Sequence, residues 1–166
     1  MRRLVVAALL LLPTACDDPP PLERSCQGNT VDLCAPREYA EVAAASLDPS
    51  ALPVADFSET ASIRVELERC EDAPAPHVVV VEALVPTDLP DGGTGAQVMN
   101  LLTLEPGADG DPPGDDVIEV EVTNPFIATI PPETDITLRF TARSAAIAGC
   151  SSGALEVPYR TGPRRE

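Results

Sequence analysis

The sequence has no lysine, no tryptophan and one histidine, and only 3 % of its residues are aromatic. Each shortage removes a class of function. Carbohydrate platforms and surfaces that stack nucleic-acid bases depend on exposed aromatic rings, so both are disfavoured. A single histidine, His77, leaves no second imidazole for a zinc centre or a histidine pair. Basic residues number 11, all arginine, against 27 acidic ones, for a formal net charge of −16. A surface of that sign repels phosphate backbones, and no basic stripe interrupts it, which excludes nucleic acid as a partner. Exclusive use of arginine beside abundant alanine and proline is the mark of a GC-rich genome. The segment DGGTG at 91–95 lacks the Lys and Ser/Thr that complete a phosphate loop, so no nucleotide is implied. Finally, the longest early apolar run, Leu4 to Leu12, is less than half of the roughly 20 residues that a membrane-spanning helix requires.

That short run has another use. Residues 1–16 read MRRLVVAALLLLPTAC: two arginines, an apolar stretch, then small residues at Thr14 and Ala15. This is the layout of a cleaved secretory signal covering 1–15. The cysteine directly after Ala15 resembles the lipobox of bacterial lipoproteins, with Pro13 where the family carries Leu and Leu12 one step further back. The resemblance covers these sixteen residues and implies that Cys16 is acylated, with palmitate among the usual chains, anchoring the mature protein to a bacterial membrane on its periplasmic face or at the cell surface. Residues 16–25, beginning CDDPPP, suit a stiff, extended tether, because consecutive prolines favour the polyproline conformation and cannot begin a packed element. Loss of Arg2 and Arg3 with the signal makes the mature chain two charges more acidic.

About 150 mature residues suffice for one hydrophobic core. With Cys16 set aside, Cys26, Cys34, Cys70 and Cys150 remain, an even number in an exported chain, which implies two disulfides. Three pairings exist. The expected one closes a local loop between Cys26 and Cys34 and a long-range staple between Cys70 and Cys150; joining Cys34 to Cys70 would instead tie the N-terminal segment into the main domain.

Residues 26–53 read as a Cys-bounded segment with a short helix, since Tyr39, Val42, Ala43, Ser46 and Leu47 fall at helical spacing before Pro49. From Ala61 the pattern becomes two-residue alternation. Ala61, Ile63, Val65 and Leu67 oppose Ser62, Arg64, Glu66 and Glu68, as in a half-buried strand. The run HVVVVEALV from His77 to Val85 is apolar on both faces and belongs at the centre of a sheet. Further strands are expected at Gln97–Leu104, Ile118–Thr123, Phe126–Ile130, Ile136–Arg143 and Ala154–Tyr159, separated by turns rich in Pro, Gly and Asp. About seven short strands in this arrangement indicate an all-β, antiparallel sandwich over 54–160, with 161–166 as a tail. In strand number, length and turn spacing the array resembles immunoglobulin-like and fibronectin type III domains, without the core Trp of true immunoglobulins.

Two patterns bear on chemistry. Gly149-Cys150-Ser151-Ser152-Gly153 fits G-x-S-x-G, the nucleophile elbow of serine hydrolases, which would make Ser151 the nucleophile. The elbow requires a helix after it, whereas LEVPY reads as a strand, and the only His lies upstream. The second pattern is acidic: Asp109, Asp111, Asp115 and Asp116 sit among Gly107, Gly110 and Gly114, hard oxygens in a pliable loop of the kind that binds Ca2+. Asp88 and Asp91 occupy another long loop. The acidic segment departs from the EF-hand, with Val120 where its last carboxylate belongs, and its simplest reading is a solvated hairpin loop. The expected function is therefore a non-enzymatic, lipid-anchored β-sandwich that binds an envelope protein or surface ligand. A Ca2+-dependent adhesion module using 109–116 is the alternative, and a hydrolase at Ser151 a remote one.

Overall fold

The computed structural model describes residues 40–70, 77–105, 116–144 and 151–165. Among them the chain forms seven strands and no helix: β1 (Ala40–Asp48), β2 (Thr60–Arg69), β3 (His77–Asp88), β4 (Thr94–Leu104), β5 (Val117–Thr123), β6 (Asp135–Ser144) and β7 (Ser151–Arg160). They build two antiparallel sheets in the orders β1-β2-β5 and β4-β3-β6-β7. The chain crosses between sheets after β2, β4 and β5, the long-connection layout of an immunoglobulin-like sandwich.

Alternation places the core. Ala61, Ile63, Val65 and Leu67 of β2 face Val79, Val81, Ala83 and Val85 of β3, with Leu138, Phe140 and Ala142 of β6 beside them, all buried. On the outside, Arg139 holds its β3 neighbour Glu82 at 2.9 Å. The apolar run at β3 is central, between β4 and β6, as its composition predicts.

Two sequence expectations are corrected. The helix expected within 26–53 is the edge strand β1, hydrogen-bonded to β2 from Ala40↔Arg69 to Asp48↔Ser62. The register shifts between Val42 and Ala44, so Ala43 is an extra residue and the inward positions become Ala40, Val42, Ala45 and Leu47. A bulge of this kind converts a two-residue period into an uneven one that imitates helical spacing. Sheet pairing outweighs the helix propensity of the alanines. Ala40–Asp48 thus belong to the sandwich, inside a segment expected to stand apart from it. The strand expected at Phe126–Ile130 is instead a turn with exposed middle residues and two buried ends. Pro125 and Pro131 bound it and offer no N–H to a ladder; the Ile130 amide donates back to the Ile127 carbonyl at 3.0 Å, and Phe126 and Ile130 are fully buried.

That turn helps close one end of the sandwich. Leu52, Val54, Phe126 and Ile130 are all inaccessible there, and Phe126 stacks on Tyr159 with ring centroids 5.1 Å apart. The C-terminal residues take part: the Gly162 amide donates to the Leu52 carbonyl at 2.7 Å, and a Cβ on Gly162 would lie 2.8 Å from that oxygen, a separation only glycine permits. The Tyr159 hydroxyl donates to the Pro49 carbonyl at 3.2 Å. Burial pushes the pKa of this phenol up to about 12, against a smaller opposing effect of the Leu52 backbone. The folded protein therefore keeps the proton that the unfolded chain releases near pH 10. Its stabilising effect is complete below about pH 10 and disappears as pH rises from there towards 12. Absorbance titration of a Tyr39→Phe variant, which leaves Tyr159 as the one phenol of the two in the sequence, should show ionisation delayed towards pH 12. Ionisation near pH 10 in folded protein would contradict the burial.

Candidate functional site

The sandwich is closed along one side and open along the other. β1 draws close to β6 and β7, while β4 and β5, the terminal strands of their sheets, leave a cleft of about 220 Å3 between them. Its walls are Leu101, Leu102 and Leu104 from β4 and Val120, Val122 and Pro125 from β5 and the residues that follow it, with Thr103, Thr123 and Glu105 at the rim. A bulge accounts for the apolar β4 wall. The β3–β4 register passes from Val81↔Leu102 to Glu82↔Asn100, leaving Leu101 as an extra residue, and both Leu101 and Leu102 line the cleft.

β4 is unusual for an edge. Edge strands are ordinarily protected by charge, proline or brevity, yet TGAQVMNLLTL is eleven residues long with no charged side chain, and Val98 on it is 49 % exposed. β5 carries the charge of this side: Glu119 and Glu121 alternate with Val120 and Val122 and are exposed on the outer face. Their cross-strand neighbours on β2 are Arg64 and Ser62, and Arg64 bonds Glu66 at 2.8 Å. Among the described residues Glu105, Glu119 and Glu121 have no ion-pair partner. The same face bears Glu41 opposite Glu68 on β1 and β2, and the Glu41 carboxyl is held above its usual pKa by partial burial and then by the Glu68 charge.

The residues singled out in the sequence fare differently. Cys16, Cys26, Cys34 and Cys150 lie outside the described residues, as do Asp109, Asp111 and Asp115. Cys70 directly follows β2 and is buried. Asp116 is exposed at the entry to β5, where its carboxylate accepts from Arg69 Nε and its carbonyl accepts the Leu67 amide. Asp88 and Asp91 of the other acidic loop lie at the opposite end of the sandwich from Asp116, where Asp88 closes β3 and Asp91 caps the Gly93 amide at 3.0 Å. No group of three or more His, Cys, Asp or Glu side chains among the described residues is placed to hold a metal ion. Ser151, expected in a turn, is the first residue of β7, and Ser152 and Gly153 continue that strand. The strand–turn–helix frame of a nucleophile elbow is not present at this position. His77 opens β3 and is buried, with β6 between it and β7. The cleft itself was missed by sequence reasoning, because its walls come from strands of different sheets. No protein-family model matches the chain, and no curated protein matches its sequence.

Proposed function

We propose that the chain is a lipid-anchored envelope protein without catalytic activity, held to a bacterial membrane through Cys16, whose sandwich binds a protein partner at the β4/β5 cleft. The observation that carries this reading is an apolar cleft between two terminal strands, of which β4 is long and carries no charge. A pocket with apolar walls and two rows of backbone groups beside it offers both sources of affinity for a polypeptide, burial and main-chain hydrogen bonding. Disulfides among the four remaining cysteines would fit an oxidising compartment and the export that the reading requires. The topology is consistent with a Cys70 to Cys150 bridge, because β2 ends and β7 begins at the same end of the sandwich, where β1 also starts. Fully extended, the chain from Cys16 to Ala40 spans at most about 80 Å, which bounds how far from the membrane the start of β1 can lie.

Site-specific photo-crosslinking in cells tests the binding reading. A photoreactive side chain at Thr103, exposed at the cleft, should give one discrete adduct, and the same group at Ser46, exposed on β1 across the molecule, should give none. Equal labelling at both positions, or none at either, would remove the cleft as the functional site.

A further inference from the structure

We infer that the cleft takes an extended segment of another protein as an added strand on β5, and that this segment alternates apolar side chains with arginine or lysine. The inference rests on the binding reading above and specifies its chemistry. β5 dictates the pattern. Along it, Val120 and Val122 line the cleft while Glu119 and Glu121 stand exposed on the opposite face. A strand added beside β5 continues both faces of the sheet, so every second residue meets the valines and enters the cleft towards Leu101, Leu102 and Leu104. The residues between stand beside the glutamates, where opposite charge stabilises a cross-strand pair and like charge destabilises it.

The alternatives for this edge are weaker on the same grounds. A second copy of the chain pairing through β5 would bring Glu119 and Glu121 of one molecule against the same acidic strand of the other, and would double an already large negative charge. The chain's own arginine-bearing end is committed elsewhere: Arg164 donates to the Ala128 carbonyl at 2.9 Å and Arg165 pairs with Glu59 at 2.8 Å, at the closed end of the sandwich. No described cation forms an ion pair with Glu105, Glu119 or Glu121, although Arg64 is the cross-strand neighbour of Glu119, and a cationic segment would complement the charge of this edge.

The test uses the folded, disulfide-intact mature chain and synthetic peptides: a ten-residue peptide alternating Val and Arg, its block-sequence isomer, an alternating Val/Glu peptide, and two Val/Arg peptides N-methylated on alternate amides along one edge or the other. Calorimetry should give binding for the alternating Val/Arg peptide, about tenfold weaker binding for its block isomer, and none for Val/Glu. Methylation along one edge should abolish binding while methylation along the other leaves it, and bound peptide should slow hydrogen exchange of β5 amides. The exposed pair Glu119→Gln and Glu121→Gln should weaken binding about tenfold without changing the melt. Equal binding of the block isomer, indifference to methylation, unchanged β5 exchange, unaltered affinity after both Gln substitutions, or no binding at all would each overturn the inference. Such a failure beside a positive Thr103 crosslink would leave the cleft as the site and remove only strand addition; failure of the crosslink as well would remove both.

Discussion

Asn124→Ala is expected to lower the stability of the sandwich by about 3 kcal/mol, and with it the melting temperature by roughly 10 °C. Asn124 is 2 % exposed, directly after β5. Its side-chain amide donates to the Pro53 carbonyl and, at 2.9 Å, to the Asp56 carbonyl, while its Oδ1 accepts the Phe126 amide at 2.9 Å. One side chain thus fastens the β1–β2 connection to the β5–β6 connection, neither of which has a ladder of its own there. Truncation leaves two carbonyls and an N–H without their partner, and each buried polar group left unmade costs about 1–3 kcal/mol. Asn124→Asp should be at least as damaging at neutral pH, because a carboxylate faces two carbonyl oxygens and has no proton to donate. An exposed hydrogen bond in the same connection supplies the control: Ser58 donates to Asp56, and Ser58→Ala should change stability by less than about 0.5 kcal/mol. Urea denaturation of the three variants side by side measures the differences. Equal midpoints for Asn124→Ala and Ser58→Ala would mean that the two connections are not joined in this way.

Much of this fold is legible in the residues, and the parts that are not have physical reasons. β2, β5 and β6 bury one face each, so alternation alone displays them, and β3 is apolar on both faces because it lies between two partners. β1 escapes because Ala43 breaks its period and because alanine is a better helix former than strand former, a preference that hydrogen bonding to β2 overrides. Phe126 to Ile130 misleads in the other direction: Phe126 and Ile130 are core, but they reach it from a turn between two prolines whose Ile127 is exposed. The G-x-S-x-G match is local spelling without the geometry that gives it meaning. Nothing in the acidic stretch announces that Asp116 meets Arg69, because the two are far apart in sequence and adjacent only once β2 and β5 pair. The cleft is the least legible feature. It needs the assignment of β4 and β5 to different sheets, and the bulge at Leu101 that lets consecutive leucines share a wall also blurs the strand signal of QVMNLLTL.

On the anchoring proposed above, the largest effect expected of any single substitution is at Cys16, which would decide whether the sandwich is held at a membrane. Each buried methylene contributes about 0.8 kcal/mol, a single acyl chain binds only marginally, and the two or three chains of a lipoprotein hold lastingly. If Cys16 carries them as proposed, replacing its thiol would remove the diacylglycerol and with it the anchor. The measurement is detergent-phase partitioning together with the mass of the mature N-terminal peptide, for wild type and Cys16→Ser. The wild-type protein should enter the detergent phase with an N-terminal peptide that begins at Cys16 and carries acyl mass, while the Ser variant should be found in the aqueous phase with no acyl mass and an unchanged melt. A wild-type peptide without acyl mass, or a Ser variant that still fractionates with membranes, would contradict the proposed anchor.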